Sequence, residues 1–339
     1  MTDHPTAPPL PVADGLLWRA WTGDDAERCQ GLLERVWDHD GHEERPALDE
    51  LLRAVAHLDL ARDTLLGEDD GGEVRAVVRV AYREGDADLV KVTVRGAVDP
   101  DRRRRGIGRA LLAWGFARAD EVAGRLAEGR RELPVSVGFC TEDHVAPEVA
   151  LARASGLEPT RWFTGMRRDV GAADLDTVVE VPDGLRLVRA DQEDVTERLR
   201  LAHNEAFRDH WGSVEYSADD WRRELEGGAE YRPALSAAVL DTTAPGEPAV
   251  AYLIGSEYEQ DWAHRGSSEL YVDVLGTVRS ARGRGLARLL LAWSARRAAE
   301  VGHAHVGLDV DTENPSGAYA LYEALGFVRT HGETRWERA

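Results

Sequence analysis

Two stretches of this chain repeat each other. Gly106–Trp114 reads GIGRALLAW, and 179 residues further on Gly283–Trp293 reads GRGLARLLLAW, so that Arg103 matches Arg282, Gly106 matches Gly285 and Trp114 matches Trp293. The agreement extends outward. Each stretch follows a run in which β-branched residues alternate with others, DLVKVTVRGAV (88–98) and ELYVDVLGTV (269–278), which predicts a strand before each glycine turn. Each is followed by an apolar-faced segment, 107–124 and 286–301, which predicts a helix. A repeat this long is a duplicated domain, because solenoid units span only about 20–50 residues.

The copies run on in parallel. LPVSVGFC (133–140) and AHVGLDV (304–310) are expected strands. APEVALARASG (146–156) and NPSGAYALYEALG (314–326) are expected helices that stop at Gly156 and Gly326, the residue type favoured just past a helix end. Upstream, each half opens with a strand and an acidic helix, in 15–37 and 184–207. The expected organisation is an α/β chain with a disordered leader over 1–14, one domain over 15–168, a small acidic linker over 169–184 and a second domain over 185–339.

The 339 residues carry a formal charge of −20, which repels nucleic acid and acidic membrane surfaces and favours a cationic small molecule as partner. No run of about 18 apolar residues exists to span a bilayer. Two cysteines, Cys29 and Cys140, form neither a disulfide framework nor a metal motif, so a reduced cytoplasm is the expected location and no metal is expected. Lys91 is the only lysine among 42 basic residues.

The shared turn is Arg-x-x-Gly-x-Gly/Ala between a strand and a helix. Glycine lets backbone N–H groups approach a ligand closely, and the helix start adds unsatisfied donors and the positive end of the dipole. That combination suits a pyrophosphate. The Gly-Lys-Ser/Thr ending of a Walker loop is absent, as is the third glycine of the dinucleotide fingerprint.

On these residues, and on Asn314, Leu321, Tyr322, Gly326 and Phe327 in the second half, the chain resembles the GNAT acyltransferase superfamily in a tandem form. The resemblance implies two GNAT domains, each a mixed twisted sheet flanked by helices, and acetyl-CoA as co-substrate. Its contacts would fall on Leu275, Thr277, Val278, Arg282, Gly283, Arg284, Gly285, Leu286, Ala287, Arg288 and Asn314. In the first half they would fall on Arg103, Arg105, Gly106, Ile107, Gly108 and Arg109. It implies transfer of the acetyl group to a small primary amine, with Tyr322 as the acid for the leaving thiolate. Aligning Gly156 with Gly326 puts Ala152 where Tyr322 stands, so the second half is expected to be active and the first catalytically reduced. For the base, Glu269 is the first choice and Asp273 the second, since both share a strand face with Tyr271. The segment 203–221 is expected to cover the acceptor through His203, Glu205, His210 and Trp211, with Phe207 as helix packing. A non-catalytic acetyl-CoA-binding module stays open as an alternative. A monomer or homodimer is expected.

Overall fold

The computed structural model describes residues 10–11, 15–84, 89–128, 133–208, 211, 213, 215–313 and 317–338. Most of the leader expected over 1–14 therefore lies outside the described residues. The chain forms two compact units, 1–162 with 333–339, and 163–332.

The first unit holds β1 (Leu17–Arg19), β2 (Thr64–Glu68), β3 (Val74–Tyr82), β4 (Val90–Val98), β5 (Val135–Glu142) and the start of β6 (Leu157–Asp169). The second holds the rest of β6, then β7 (Leu185–Arg189), β8 (Ala237–Asp241), β9 (Ala249–Ser256), β10 (Glu269–Thr277), β11 (His305–Asp311) and the start of β12 (Val328–Arg338). Strand order in the first is β1-β2-β3-β4-β5-β12, and in the second β7-β8-β9-β10-β11-β6. β4–β5 and β10–β11 are parallel pairs and the other registered pairs are antiparallel, giving a mixed sheet in each unit. The helices Ile107–Leu126 and Leu286–Val301 connect the parallel pairs, as a parallel crossover requires.

Each unit thus completes its sheet with a strand from the other half of the sequence. Residues 163–169 of β6 pair with β11, Phe163 opposite Asp311 through Asp169 opposite His305. Residues 333–337 of β12 pair with β5. The two cores follow the same exchange: Met166 is buried with 188–327, and Trp336 is buried with 16–157. Side-chain hydrogen bonds fix the crossing strands. Arg335 donates to Ser136, Thr93 and the Val92 carbonyl, and Trp336 Nε1 donates to Thr141 Oγ1 at 2.9 Å. The domain limits read from sequence differ from these units on that account. Residues 169–184 do not form a free linker either: a helical turn covers Ala172–Leu175, and Val170, Val179 and Val181 pack on the second core.

Candidate active site

In the second unit β10 and β11 pair from Glu269 opposite His305 to Val272 opposite Leu308. The pairing then stops, although β10 runs on to Thr277 and β11 to Asp311. A bulge marks the place: Val272 faces Gly255 and Val274 faces Ile254 on β9, leaving Asp273 as the extra residue. Two strands that part company offer unpaired backbone groups to an extended ligand that carries amides of its own.

The glycine turn lies at the end of β10. Gly283 has φ +75° and Gly285 φ +77°, and the first helical hydrogen bond runs from Leu289 N to Gly285 O at 3.0 Å. The N–H groups of Leu286, Ala287 and Arg288 therefore have no intrahelical acceptor, which makes the helix start an anion site. Arg284 and Arg288 are exposed and neither hydrogen-bonded nor ion-paired among the described residues. The first unit repeats the geometry: Arg104 has φ +65°, Gly106 φ +85°, and Ala110 N bonds to Gly106 O at 3.0 Å, leaving Ile107, Gly108 and Arg109 free at their N–H groups.

The leading arginines do something else. Arg282 Nε donates to the Thr277 carbonyl at 3.3 Å and its Nη2 to the Ala206 carbonyl at 2.9 Å. Arg103 Nε donates to the Val98 carbonyl at 3.1 Å, and its fork grips both oxygens of Asp40. In both copies this arginine ties the turn to the strand before it and to the end of an early helix, so its guanidinium is spent on the protein. Arg105 Nη2 reaches the Asp101 carbonyl at 3.5 Å. Val278 and Leu286 are core residues, and the Val278 N–H is already taken by the Val250 carbonyl. Leu275 and Thr277 are half-buried on β10 opposite Leu253 and Ala251, and Leu275 packs against the core. Asn314 lies outside the described residues.

The two candidate bases differ sharply. Glu269, the first choice from sequence, is 4% exposed and spends its oxygens on Arg167 Nε at 2.6 Å and Arg265 Nη1 at 2.8 Å. A carboxylate gripped by two guanidiniums is a structural anion, and its place at the β10 start precedes the opening, which corrects the expectation. Replacing it with glutamine would remove the carboxylate that faces both guanidiniums, leaving Arg265 its ion pair with Asp261. Glu269→Gln is expected to cost about 3–5 kcal/mol of stability, visible as a lowered melting temperature, with kcat per folded molecule unchanged. Asp273 fits a base better. Its carboxyl is half-buried at the bulge, accepts from the Ser256 hydroxyl and from Tyr258 Oη at 2.9 Å, and is pushed up to about 6, chiefly by burial. Ser256 and Tyr258 have no distinctive sequence signal; only the β9–β10 register brings them to Asp273.

Tyr322 lies in the helix Ala318–Ala324, 8% exposed, with its ring 5.9 Å from Phe327. Its hydroxyl has no hydrogen-bond partner among the described residues, and burial pushes it up to about 12.

Of the acceptor residues expected in 203–221, His203 is buried. It stacks 4.7 Å from Phe207, lies edge-on to Tyr216 and Trp221, and shares a 2.6 Å hydrogen bond with the Tyr252 hydroxyl. It is a satisfied core histidine, which corrects the substrate-binding expectation; Phe207 does pack as a helix residue. Glu205 is exposed, Trp211 lies 6.4 Å from Phe163, and His210 is outside the described residues.

The first unit keeps the glycine turn without counterparts of the candidate acid and bases. The positions matching Glu269, Tyr271 and Asp273 are Val90, Val92 and Val94, all buried, and Ala152 is 0% exposed. β4 has no bulge toward β3. A cavity of 550 Å³ opens at its glycine turn, lined by Val94, Val98, Gly106, Gly108, Arg109 and Glu148 among others. Burial pushes the Glu148 carboxyl up to about 7.

Residues 196–327 match the model of the Acetyltransferase (GNAT) family. A mycothiol acetyltransferase of Geodermatophilus obscurus is 30% identical over 285 residues, 82% of each chain. One from Rhodococcus erythropolis is 31% identical over 326 residues, 93% of this chain and 96% of that one. The fold is similar to a GCN5-related N-acetyltransferase from Sphaerobacter thermophilus, with TM-score 0.69, 23% identity and 97% and 96% of the two chains covered. A tandem GNAT protein from the clavulanic acid biosynthesis pathway gives TM-score 0.69 at 19% identity, covering 95% and 97%. Sequence relatives over most of the chain and the strand–turn–helix cradle agree: the chain is an N-acetyltransferase that belongs to the GNAT family.

Proposed function

We propose that the second unit transfers the acetyl group of acetyl-CoA to a small primary amine, and that the first unit holds a cradle without chemistry. The observation that carries this reading is the opening between β10 and β11, which begins beside Asp273 and leads to the free N–H groups of Leu286, Ala287 and Arg288. Those N–H groups, with Arg284 and Arg288, would hold the pyrophosphate, and the unpaired strand edges would hold the amide-bearing arm.

Asp273, largely ionised at neutral pH, takes the proton that the attacking ammonium must lose. Tyr271 and Tyr258 wall this place, with ring centroids 5.5 Å apart. The amine attacks directly, and no side chain forms a covalent intermediate; the unit's main contribution is position. Tyr322, held near 12, lies well above a thiol's usual value of about 8.5. It therefore stabilises the developing thiolate by donating a hydrogen bond and retains its proton. Tyr322→Phe is expected to lower kcat by about 10²–10³-fold, the effect of removing one such donor, with acetyl-CoA affinity unchanged. A rate near wild type would return Tyr322 to the core.

A second reading has support in the relatives, named mycothiol acetyltransferases over 82–96% of their length. The acceptor would then be the cysteinyl amine of a pseudodisaccharide, as in mycothiol synthase. An amine panel with acetyl-CoA and detection of the released thiol separates the two: turnover of that amine alone selects the narrow reading, and turnover of none of the amines overturns both.

A further inference from the structure

The first unit carries a feature that acetyl transfer does not use. Arg79 on β3 and Arg95 on β4 stand directly opposite each other. Like charges in that position repel, and proteins normally separate or neutralise them. Here neither guanidinium is hydrogen-bonded or ion-paired among the described residues. Lys91, the only lysine of a chain with net charge −20, lies on the same strand face. That face is turned away from the core side, where Val78, Val80, Val92 and Val94 are buried.

The other charged groups near this face act on Arg95 from a distance and none makes an ion pair with it or with Arg79 among the described residues. Arg335 lies across Gly138 and is satisfied by Ser136, Thr93, the Val92 carbonyl and Glu337. Glu333 accepts from the Cys140 thiol, and its carboxyl is pushed up by burial. Glu44 is exposed. Burial without a carboxylate also holds Arg79 down to about 10, still cationic at neutral pH. Arg95 feels the carboxyls of Glu333, Glu44 and Glu148 without a hydrogen bond or ion pair to any of them among the described residues, and Arg79 has no carboxylate acting on it.

We propose that Arg79 and Arg95 form a binding site for a small oxyanion, the carboxylate or phosphate head of a metabolite, on the sheet face opposite the first unit's core. Two guanidinium forks on adjacent strands can each offer paired donors to one oxyanion, and Lys91 adds a point charge. The site is separate from the glycine turn, whose cavity contains Val78 and Val94 from the other face.

The test is a melting-temperature titration of the full-length protein, with saturating coenzyme A present so that neither glycine turn responds. Inorganic phosphate and malonate are the probes, against potassium chloride at matched ionic strength. Wild type should show a saturable rise with at least one of them, and the better probe identifies the head group. Arg79→Gln and Arg95→Gln should weaken that response at least about tenfold, as loss of a charge-assisted partner does, and should melt above wild type in chloride alone. Arg95→Lys should bind with intermediate strength. No saturable rise in wild type, or an equal rise in both glutamine variants, would overturn the site.

Discussion

Asp273→Asn is expected to lower kcat by about 10²–10⁴-fold, the usual contribution of a general base, without changing acetyl-CoA affinity. The wild-type rate should climb with pH through about 6 and then level, because the carboxyl must lose its proton before it can accept one from the amine. The variant should lose that rising limb. Its stability should move the other way. A carboxyl raised from 3.8 to about 6 prefers its neutral form in the fold, so the wild type loses stability as pH rises from about 4 through 6. Asparagine carries no such charge, and at pH 8 the variant should gain up to about 3 kcal/mol over wild type, at 1.36 kcal/mol per pH unit. Below pH 4 the difference should vanish. Steady-state rates and thermal melts on one preparation read both effects. An active Asp273→Asn enzyme with an unchanged pH profile would move the base elsewhere.

Gly285→Val should abolish productive cofactor binding. A side chain placed there meets no protein atom within 4 Å, so crowding is not the mechanism. At φ +77° a β-branched residue is strained by about 1–3 kcal/mol. Relaxing that strain rotates the backbone that aims the Leu286, Ala287 and Arg288 N–H groups, and each charge-assisted hydrogen bond lost there is worth about 1.5–3 kcal/mol. Together the two effects should weaken acetyl-CoA binding by at least about 10²-fold. Gly106→Val, at φ +85° in the first unit, should leave turnover intact. Calorimetric titration of both full-length variants, with rates, decides the matter. Equal collapse of turnover in both would mean that each unit contributes to the chemistry.

The duplication, the parallel strand pairs, the two glycine turns and the loss of Tyr322's counterpart at Ala152 were legible in the sequence because each is a local pattern. Alternation marks a strand, glycine marks φ above zero, and a missing phenol is missing in any fold. Chemistry at Glu269, Asp273 and His203 was not legible, because a side chain's role depends on partners distant in sequence. Glu269 is ion-paired with Arg167, 102 residues away, and His203 is hydrogen-bonded to Tyr252, 49 away. Asp273 acquires its raised value from burial at the bulge, which outweighs the opposing hydrogen bonds from Ser256 and Tyr258. The exchange of last strands was hidden for the same reason. A strand's sequence states which of its faces is buried and leaves open which edge it joins. Sequence determined the two glycine turns and which half carries the tyrosine and carboxylates of the proposed chemistry. Tertiary packing decided that Glu269 is held by two guanidiniums and Asp273 by two hydroxyls, because it alone sets what each charge touches and how much water it keeps.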